Sequence, residues 1–291
     1  LDIPESDWVF NYGTFSFGDG FYFNFVKGRL DYKLSVEPYY HFFKVYHDSG
    51  RGLNSQTLDL TPSQVREVAK YLAWNAKPEN ATYSYEFFRD NCATRVFTVL
   101  ESALGESIEF NCESDGRTYR DGLKPYIVCK PWTEFGMDFI LGPKADEVMV
   151  GCGSAYIPDE LYKALERCTI DGKPLIAKSD QLIISPNTWM NPRQNILLGL
   201  NTPELLFLLL LVMVIVLRYK VGESNLTTSI VVKTIQVVTA SLGVLLIAMW
   251  LFTDHVDTWA NWNMIWTIPA ITTLVSRSSV VLPNIAIALY L

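Results

Sequence analysis

Histidine is scarce in this chain: His41, His47 and His255 are the only three among 291 residues. A cysteine or serine nucleophile generally works with an imidazole base, so the scarcity restricts where such chemistry can sit. His41 and His47 lie in the aromatic stretch PYYHFFKVYH (38–47) and read as structural or surface residues, while His255 lies far away in an apolar region. The five cysteines (Cys92, Cys112, Cys129, Cys152 and Cys168) contain no CxxC pair. That excludes the usual zinc spacings, and neither a metal site nor a cofactor site is predicted. No basic stripe exists either. The formal net charge is −7, which argues against a nucleic-acid partner and otherwise favours only solubility. The chain has no internal repeat and no low-complexity tract. It does not begin with Met, no signal peptide precedes Leu1, and it stops within an apolar run at 280–291. The expectation is a fragment cut at both ends, so a missing targeting signal says nothing of the address.

What is present divides in two. Residues 1–200 are aromatic and charged, as in a globular domain, and residues 203–291 are strongly apolar. In the apolar part, PELLFLLLLVMVIVLRY (203–219) and IVVKTIQVVTASLGVLLIAMWLFT (230–253) are each long enough, or nearly so, to cross about 30 Å of hydrocarbon. Residues 262–275 form a shorter third candidate, and 280–291 look like the start of a fourth. Arg218 and Lys220 between the first two spans, Lys233 just inside the second and Arg277 after the third mark the cytoplasmic side by the positive-inside rule. The first 200 residues then lie outside the inner membrane. In that oxidising setting two disulfides and one thiol are expected, with Cys112–Cys129 and Cys152–Cys168 as the pairs.

Alternation predicts strands at 8–17, 29–36 and 53–60, and PYYHFFKVYH has helical spacing. Thr61-Pro62-Ser63-Gln64 signals a helix start, with Thr61 as N-cap and Gln64 closing a capping box. Val65, Val68, Ala69, Leu72 and Ala73 would be its buried face. Residues 106–187 read as loop-rich with short helices, one of them at 158–168.

The most informative stretch is YSYEFFRDNCATRVFTVLESAL (83–104). Asp90 or Asn91 serves as N-cap of a helix whose apolar face is Val96, Phe97, Val99, Leu100 and Ala103. Cys92 then sits in the first turn, where free amides and the positive end of the helix dipole favour thiolate. The same amides can stabilise an oxyanion. Arg95, three residues on, is a candidate for a lipid phosphate or an ion-pair partner of Asp90 or Glu86. The lead-in of Tyr83, Tyr85, Phe87 and Phe88 reads as core or as the lining of an acyl-chain site.

Several blocks carry a resemblance: NYGTFSF (11–17), KGRLDYKLSV (27–36), LAWNAKPEN (72–80), YSYEFFRDNCATR (83–95), PWTEFGMDFILG (131–142) and TDHVDTWANWNMIWTIP (253–269). Together they resemble the Bacteroides-type lipoprotein N-acyltransferases (Lnb). The resemblance implies an α+β, permuted papain-like domain of the NlpC or LRAT type, followed by transmembrane helices. It implies Cys92 as nucleophile, with a catalytic histidine preceding it in a strand upstream of residue 1, so that the chain as given would be inactive. It further implies a phospholipid acyl donor, a thioester on Cys92, a diacylated lipoprotein as acceptor, and a periplasm-facing position on the bacterial inner membrane. Asp254, His255 and Asn261, between the second and third spans, would return to the periplasmic side, with Trp259, Trp262 and Trp266 as interfacial anchors and His255 and Tyr85 as possible substrate contacts. The rival readings are a membrane-tethered cysteine peptidase or amidase of the cell envelope, and a non-catalytic binding protein.

Overall fold

The structure, a computed structural model, describes residues 7–15, 20–29, 31–185 and 202–276. Arg277 and the apolar run at 280–291 lie outside the described residues. The chain forms two compact units, Leu1–Gly122 with Glu147–Trp189, and Leu123–Asp146 with Met190–Leu291.

The elements run β1 (Trp8–Thr14), α1 (Phe21–Lys27), β2 (Asp31–Pro38), α2 (Tyr39–Asp48), β3 (Leu53–Leu58), α3 (Pro62–Asn75), β4 (Thr82–Ser84), α4 (Thr94–Leu104) and β5 (Ile108–Glu109). They continue through α5 (Tyr119–Ile127), α6 (Pro131–Ile140), α7 (Pro158–Leu165), β6 (Thr169–Ile170), β7 (Lys173–Pro174) and β8 (Ile176–Ile183). The apolar part holds α8 (Pro203–Val216), α9 (Leu226–Phe252) and α10 (Met264–Ser276). The first unit is a mixed helix-and-sheet structure in which all strand pairings are antiparallel: β1-β2-β4, β3-β8 and β5-β6-β7.

Alternation in β1 and β2 turns Tyr12 and Leu34 inward. With Ala81, Tyr83 and Val99 they form one small core. Leu100 and Leu104, on the same helix as Val99, enter a second core with Ile108, Leu165, Cys168, Ile170 and Leu175. Helix α4 is thus wedged between two apolar clusters along its middle and final turns. Its neighbour α3 starts as its sequence dictates. Gln64 N–H donates to Thr61 Oγ1 (3.4 Å), and Thr61 N–H donates to Gln64 Oε1 (2.8 Å).

The inward face of α3 differs from expectation. Val65, Ala69 and Ala73 are exposed, and the packed residues are Val68, Tyr71 and Leu72 together with buried Asn75. The rotation has a polar cause: Tyr12 Oη donates to Asn75 Oδ1 at 2.5 Å, and Asn75 Nδ2 donates to the Asn80 carbonyl at 2.7 Å. A buried amide that satisfies a buried phenol draws its own face inward, which apolar periodicity does not register.

The expected disulfides are also corrected. Cys112 bonds Cys152, with their Cα atoms 5.0 Å apart. Ser114 Oγ donates to the Met149 carbonyl (2.6 Å), Met149 N–H donates to the Arg117 carbonyl (2.9 Å), and Thr118 bridges Val148. These contacts lay the two cysteine-bearing segments side by side. Cys168 instead fills the second core and donates its S–H to the Ala164 carbonyl at 3.2 Å, and Cys129 is a free thiol in the second unit.

In the second unit, α9 is the one helix among the described residues long and apolar enough to cross a membrane. Its 27 residues reach about 40 Å. The 14 residues of α8 reach only about 21 Å before a π-helical turn, Leu217–Val221, and the 13 residues of α10 enclose Pro269. Helices α9 and α10 approach closely at Gly243, where a Cβ would sit 2.9 Å from Thr267 Cβ. Asn261 is a structural clamp: its Nδ2 donates to the carbonyls of Phe139 (2.7 Å) and Ile140 (2.9 Å), tying α6 to the turn before α10.

Candidate active site

The turn Asp90-Asn91-Cys92-Ala93 leads into α4. Asn91 staples this turn just ahead of the helix, whose N-cap is Ala93: the Oδ1 atom accepts from the amides of Ala93 (2.8 Å) and Thr94 (3.0 Å), and the Asn91 carbonyl accepts from Arg95 N–H (3.0 Å). Thr94 Oγ1 reciprocates by accepting from Asn91 N–H at 2.8 Å. The remaining hydrogens of the Asn91 amide go to the carbonyls of Phe87 (2.9 Å) and Tyr156 (2.8 Å). Only 4% of Asn91 is exposed, and every polar atom of its side chain is used. Asn91 therefore acts on Cys92 by holding the turn; its Oδ1 occupies amides that were candidates for an oxyanion. Cys92 lies in the turn two residues before α4 rather than in the first helical turn expected for it, and is a free, exposed thiol.

The thiol does not follow the simple helix-dipole expectation. Burial among surrounding groups pushes it above the ordinary thiol value, against the amides of Ala93 and Cys92, which favour the anion. The residue is open on one side, yet protein packed around the sulfur on the other sides replaces much of the water that would stabilise a charge.

Around the sulfur stand tyrosines. Tyr32, Tyr83 and Tyr85 all have phenols pushed upward, by burial first and by Cys92 next. Tyr32 and Tyr85 stack with centroids 4.3 Å apart. The structure thus brings Tyr85 to Cys92. Tyr83, only 6% exposed, belongs to the core and donates its hydroxyl to the Tyr12 carbonyl. Phe88 is buried against Tyr119 and Tyr156.

Arg95 is committed locally. Its guanidinium grips both oxygens of Asp90, with Nε to Oδ1 at 2.5 Å, and lies 4.2 Å over the Tyr83 ring. Of the two roles open to it, the ion pair is the one seen, and Asp90 is occupied in the same pair.

Cys92 lines a cavity of about 510 Å³. Its walls come from β1 (Phe10 and Tyr12), α2 (Phe42 and Tyr46), α4 (Val96) and α7 (Leu161), so most of them are apolar. Two charged groups reach it, Glu37 and Arg51. Arg51 lies 4.2 Å over the Tyr46 ring and donates Nε–H to Ser49 Oγ (3.0 Å); no carboxylate among the described residues pairs with it. Sequence reasoning missed Arg51, because only the antiparallel return of the chain through α2 and β3 carries it to the cysteine. His41, His47 and His255 are not among the lining residues. His47 Nδ1 meets Asp48 Oδ1 at 3.2 Å, and His255 belongs to the second unit, whereas this cavity is built from the first alone.

A free cysteine in the turn before a helix, above an apolar cavity and beside a charged pair, is the arrangement of a cysteine-bearing domain for a ligand with an apolar part. The chain also carries a long apolar helix. Residues 7–126 match the family model described as the Lnb N-terminal periplasmic domain. Over that segment the chain is similar to Lnb periplasmic domains, and it also carries one helix long and apolar enough to cross a membrane. The match contains the whole Cys92 turn, the β1-β2-β4 sheet and Arg51. No match was found among curated proteins or among solved structures.

Proposed function

We propose that the protein is a cysteine-dependent acyltransferase that moves an acyl chain from a phospholipid to the N-terminal amine of a diacylated lipoprotein at the outer face of the bacterial inner membrane. The observation that carries this reading is the placement of the free, exposed Cys92 in the wall of a largely apolar cavity of about 510 Å³, within ordinary ligand-site size. The family match of residues 7–126 supports it, as does the long apolar helix, which would confine the domain to the surface where both substrates are embedded.

In the first step the Cys92 thiolate attacks the ester carbonyl of the phospholipid. The ester C–O bond breaks, the lysophospholipid oxygen takes a proton, and a thioester remains on Sγ. In the second step the α-amine of the acceptor attacks the thioester. An amide forms, the amine loses a proton, and the thiolate leaves. Apolar walls such as Phe10, Phe42 and Leu161 would hold the chain and exclude water that would otherwise hydrolyse the thioester. Arg51 would meet the phosphate of the donor, the role for which Arg95 is unsuited because Asp90 already holds it. An antiparallel sheet packed on a helix preceded by a cysteine-bearing turn supports the papain-like assignment, and Arg218 and Lys220 support a periplasmic position for the first unit.

The test is transfer of a labelled acyl chain from phospholipid to a diacylated lipopeptide by full-length protein in membranes. Cys92→Ser should abolish transfer, and Arg51→Ala should raise the donor KM about tenfold or more. Unchanged transfer by Cys92→Ser overturns the proposal. So does cleavage of muropeptides without any acyl transfer, which would mark an envelope hydrolase.

A further inference from the structure

Helix α1 shows its apolar side chains to the outside. Its sequence is FYFNFVK, none of its residues is buried, and Tyr22, Phe23, Phe25 and Val26 are 77, 64, 51 and 66% exposed. A helix that is apolar all round is normally enclosed, in a protein core or in lipid, and one of two turns does not persist alone in water. Glycines bound it on both sides: Gly20 and Gly28 have φ of 85° and 77°, so the chain turns sharply at each end of this short knob.

We infer that α1 is an interfacial anchor that enters the lipid surface of the membrane in which the protein resides. Three observations favour lipid over a protein partner. The residue types are those of the bilayer boundary, aromatic rings ending in a cation. Lys27 Nζ lies 4.7 Å over the Phe23 ring, so that the apolar ring can sink while the ammonium stays at phosphate level. Residues 20–30 hold Lys27 and Arg29 and no acidic side chain in a chain of net charge −7, so this segment complements an anionic headgroup layer. A second copy is a poor occupant, because a helix about 10 Å long cannot supply the roughly 800 Å² per partner of a stable interface.

The knob also connects to the cysteine. Phe21 stacks on Phe15 (5.4 Å), Phe15 on Tyr32 (5.1 Å) and Tyr32 on Tyr85 (4.3 Å), and Tyr32 and Tyr85 both feel the charge of Cys92. Insertion of α1 would set the depth of this aromatic ladder against the bilayer. The inference does not depend on the acyl-transfer chemistry.

The experiment places the photoreactive residue p-benzoylphenylalanine at Tyr22, at Val26 or, as a control on an exposed face of α3, at Trp74 in the full-length protein. Each variant is reconstituted in nanodiscs of phosphatidylethanolamine and phosphatidylglycerol, illuminated and weighed. Lipid adducts at 22 and 26 at least tenfold above those at 74 are expected, with the added double change Phe23→Asp and Phe25→Asp removing the adduct at 26. Equal yields at all three positions, an adduct of doubled protein mass, or no lipid adduct at 22 and 26 overturns the inference. Because the readout is adduct mass rather than transfer, failure here leaves the acyltransferase proposal standing, and the reverse also holds.

Discussion

At the scale of single residues, Asn91 and Cys92 divide the labour of one turn. Asn91 accepts from two amides of the turn that enters α4 and binds two carbonyls from elsewhere, so Asn91→Ala should cost about 3 kcal/mol, combining these lost hydrogen bonds with two buried carbonyls left unpaired. Thermal or urea unfolding checks this. Cys92 carries the opposite demand, since its thiol is held above the ordinary value by burial. A raised pKa keeps the proton on to higher pH, so the rate of alkylation by iodoacetamide should inflect above that of a free cysteine. A rate already at its plateau at neutral pH would contradict this. DNCATR signals a helix start, but the helix begins at Thr94 with Ala93 as its N-cap, so the thiol lies in the turn before it rather than in its first turn. The direction of the thiol shift was not legible, because it follows from burial of the sulfur by the folded protein.

Among the elements, the β1-β2-β4 sheet stores phenols rather than aliphatic side chains. Tyr12 is pushed up to about 12, chiefly by burial, and Tyr83 and Tyr85 are pushed higher still. The folded state keeps these protons when the unfolded chain has lost them. Stability from this sheet should be full below about pH 10, the ordinary tyrosine value, and fall as pH rises toward about 12. Circular-dichroism melts across pH 8–12 measure it. In the second unit, Gly142 donates N–H to the Asp257 carbonyl at 2.7 Å, and a Cβ there would lie 2.1 Å from the Trp259 carbonyl oxygen. Gly142→Ala should therefore destabilise the α6 attachment by about 1–3 kcal/mol. The start of α3 could be read from its capping box, whereas α4 begins at Thr94, later than the Asp90 or Asn91 cap expected for it. The inward face of α3 could not be read, since Asn75 is drawn in by Tyr12 from 63 positions away. Strand β8 escaped notice for a similar reason: IAKSDQLI becomes a strand by pairing with β3, more than a hundred residues earlier.

On the scale of the whole molecule, the chain joins a segment similar to Lnb periplasmic domains to a helix long and apolar enough to cross a membrane, and one disulfide ties its first unit together. The Cys112–Cys152 bond closes a loop of 40 residues, and Cys112→Ser with Cys152→Ser should lower stability by about 4 kcal/mol. Peptide mapping under non-reducing conditions, after hydroxylamine has released any thioester, should find Cys92, Cys129 and Cys168 all alkylated. Parity predicted two bonds, but a buried cysteine can be core filler, as Cys168 is, and which cysteines meet is decided by chain reversals that spacing does not encode. The split into a polar and an apolar part was plain in composition; the clustering of residues 123–146 with the apolar helices rests on side-chain clamps such as Asn261 on Phe139 and was not. The most direct test of the central claim is the intact mass of full-length protein taken from membranes, before and after hydroxylamine. The account predicts an acyl-sized mass gain on Cys92 that hydroxylamine removes and Cys92→Ser lacks. An unmodified Cys92 in a preparation that is transferring acyl chains would contradict it.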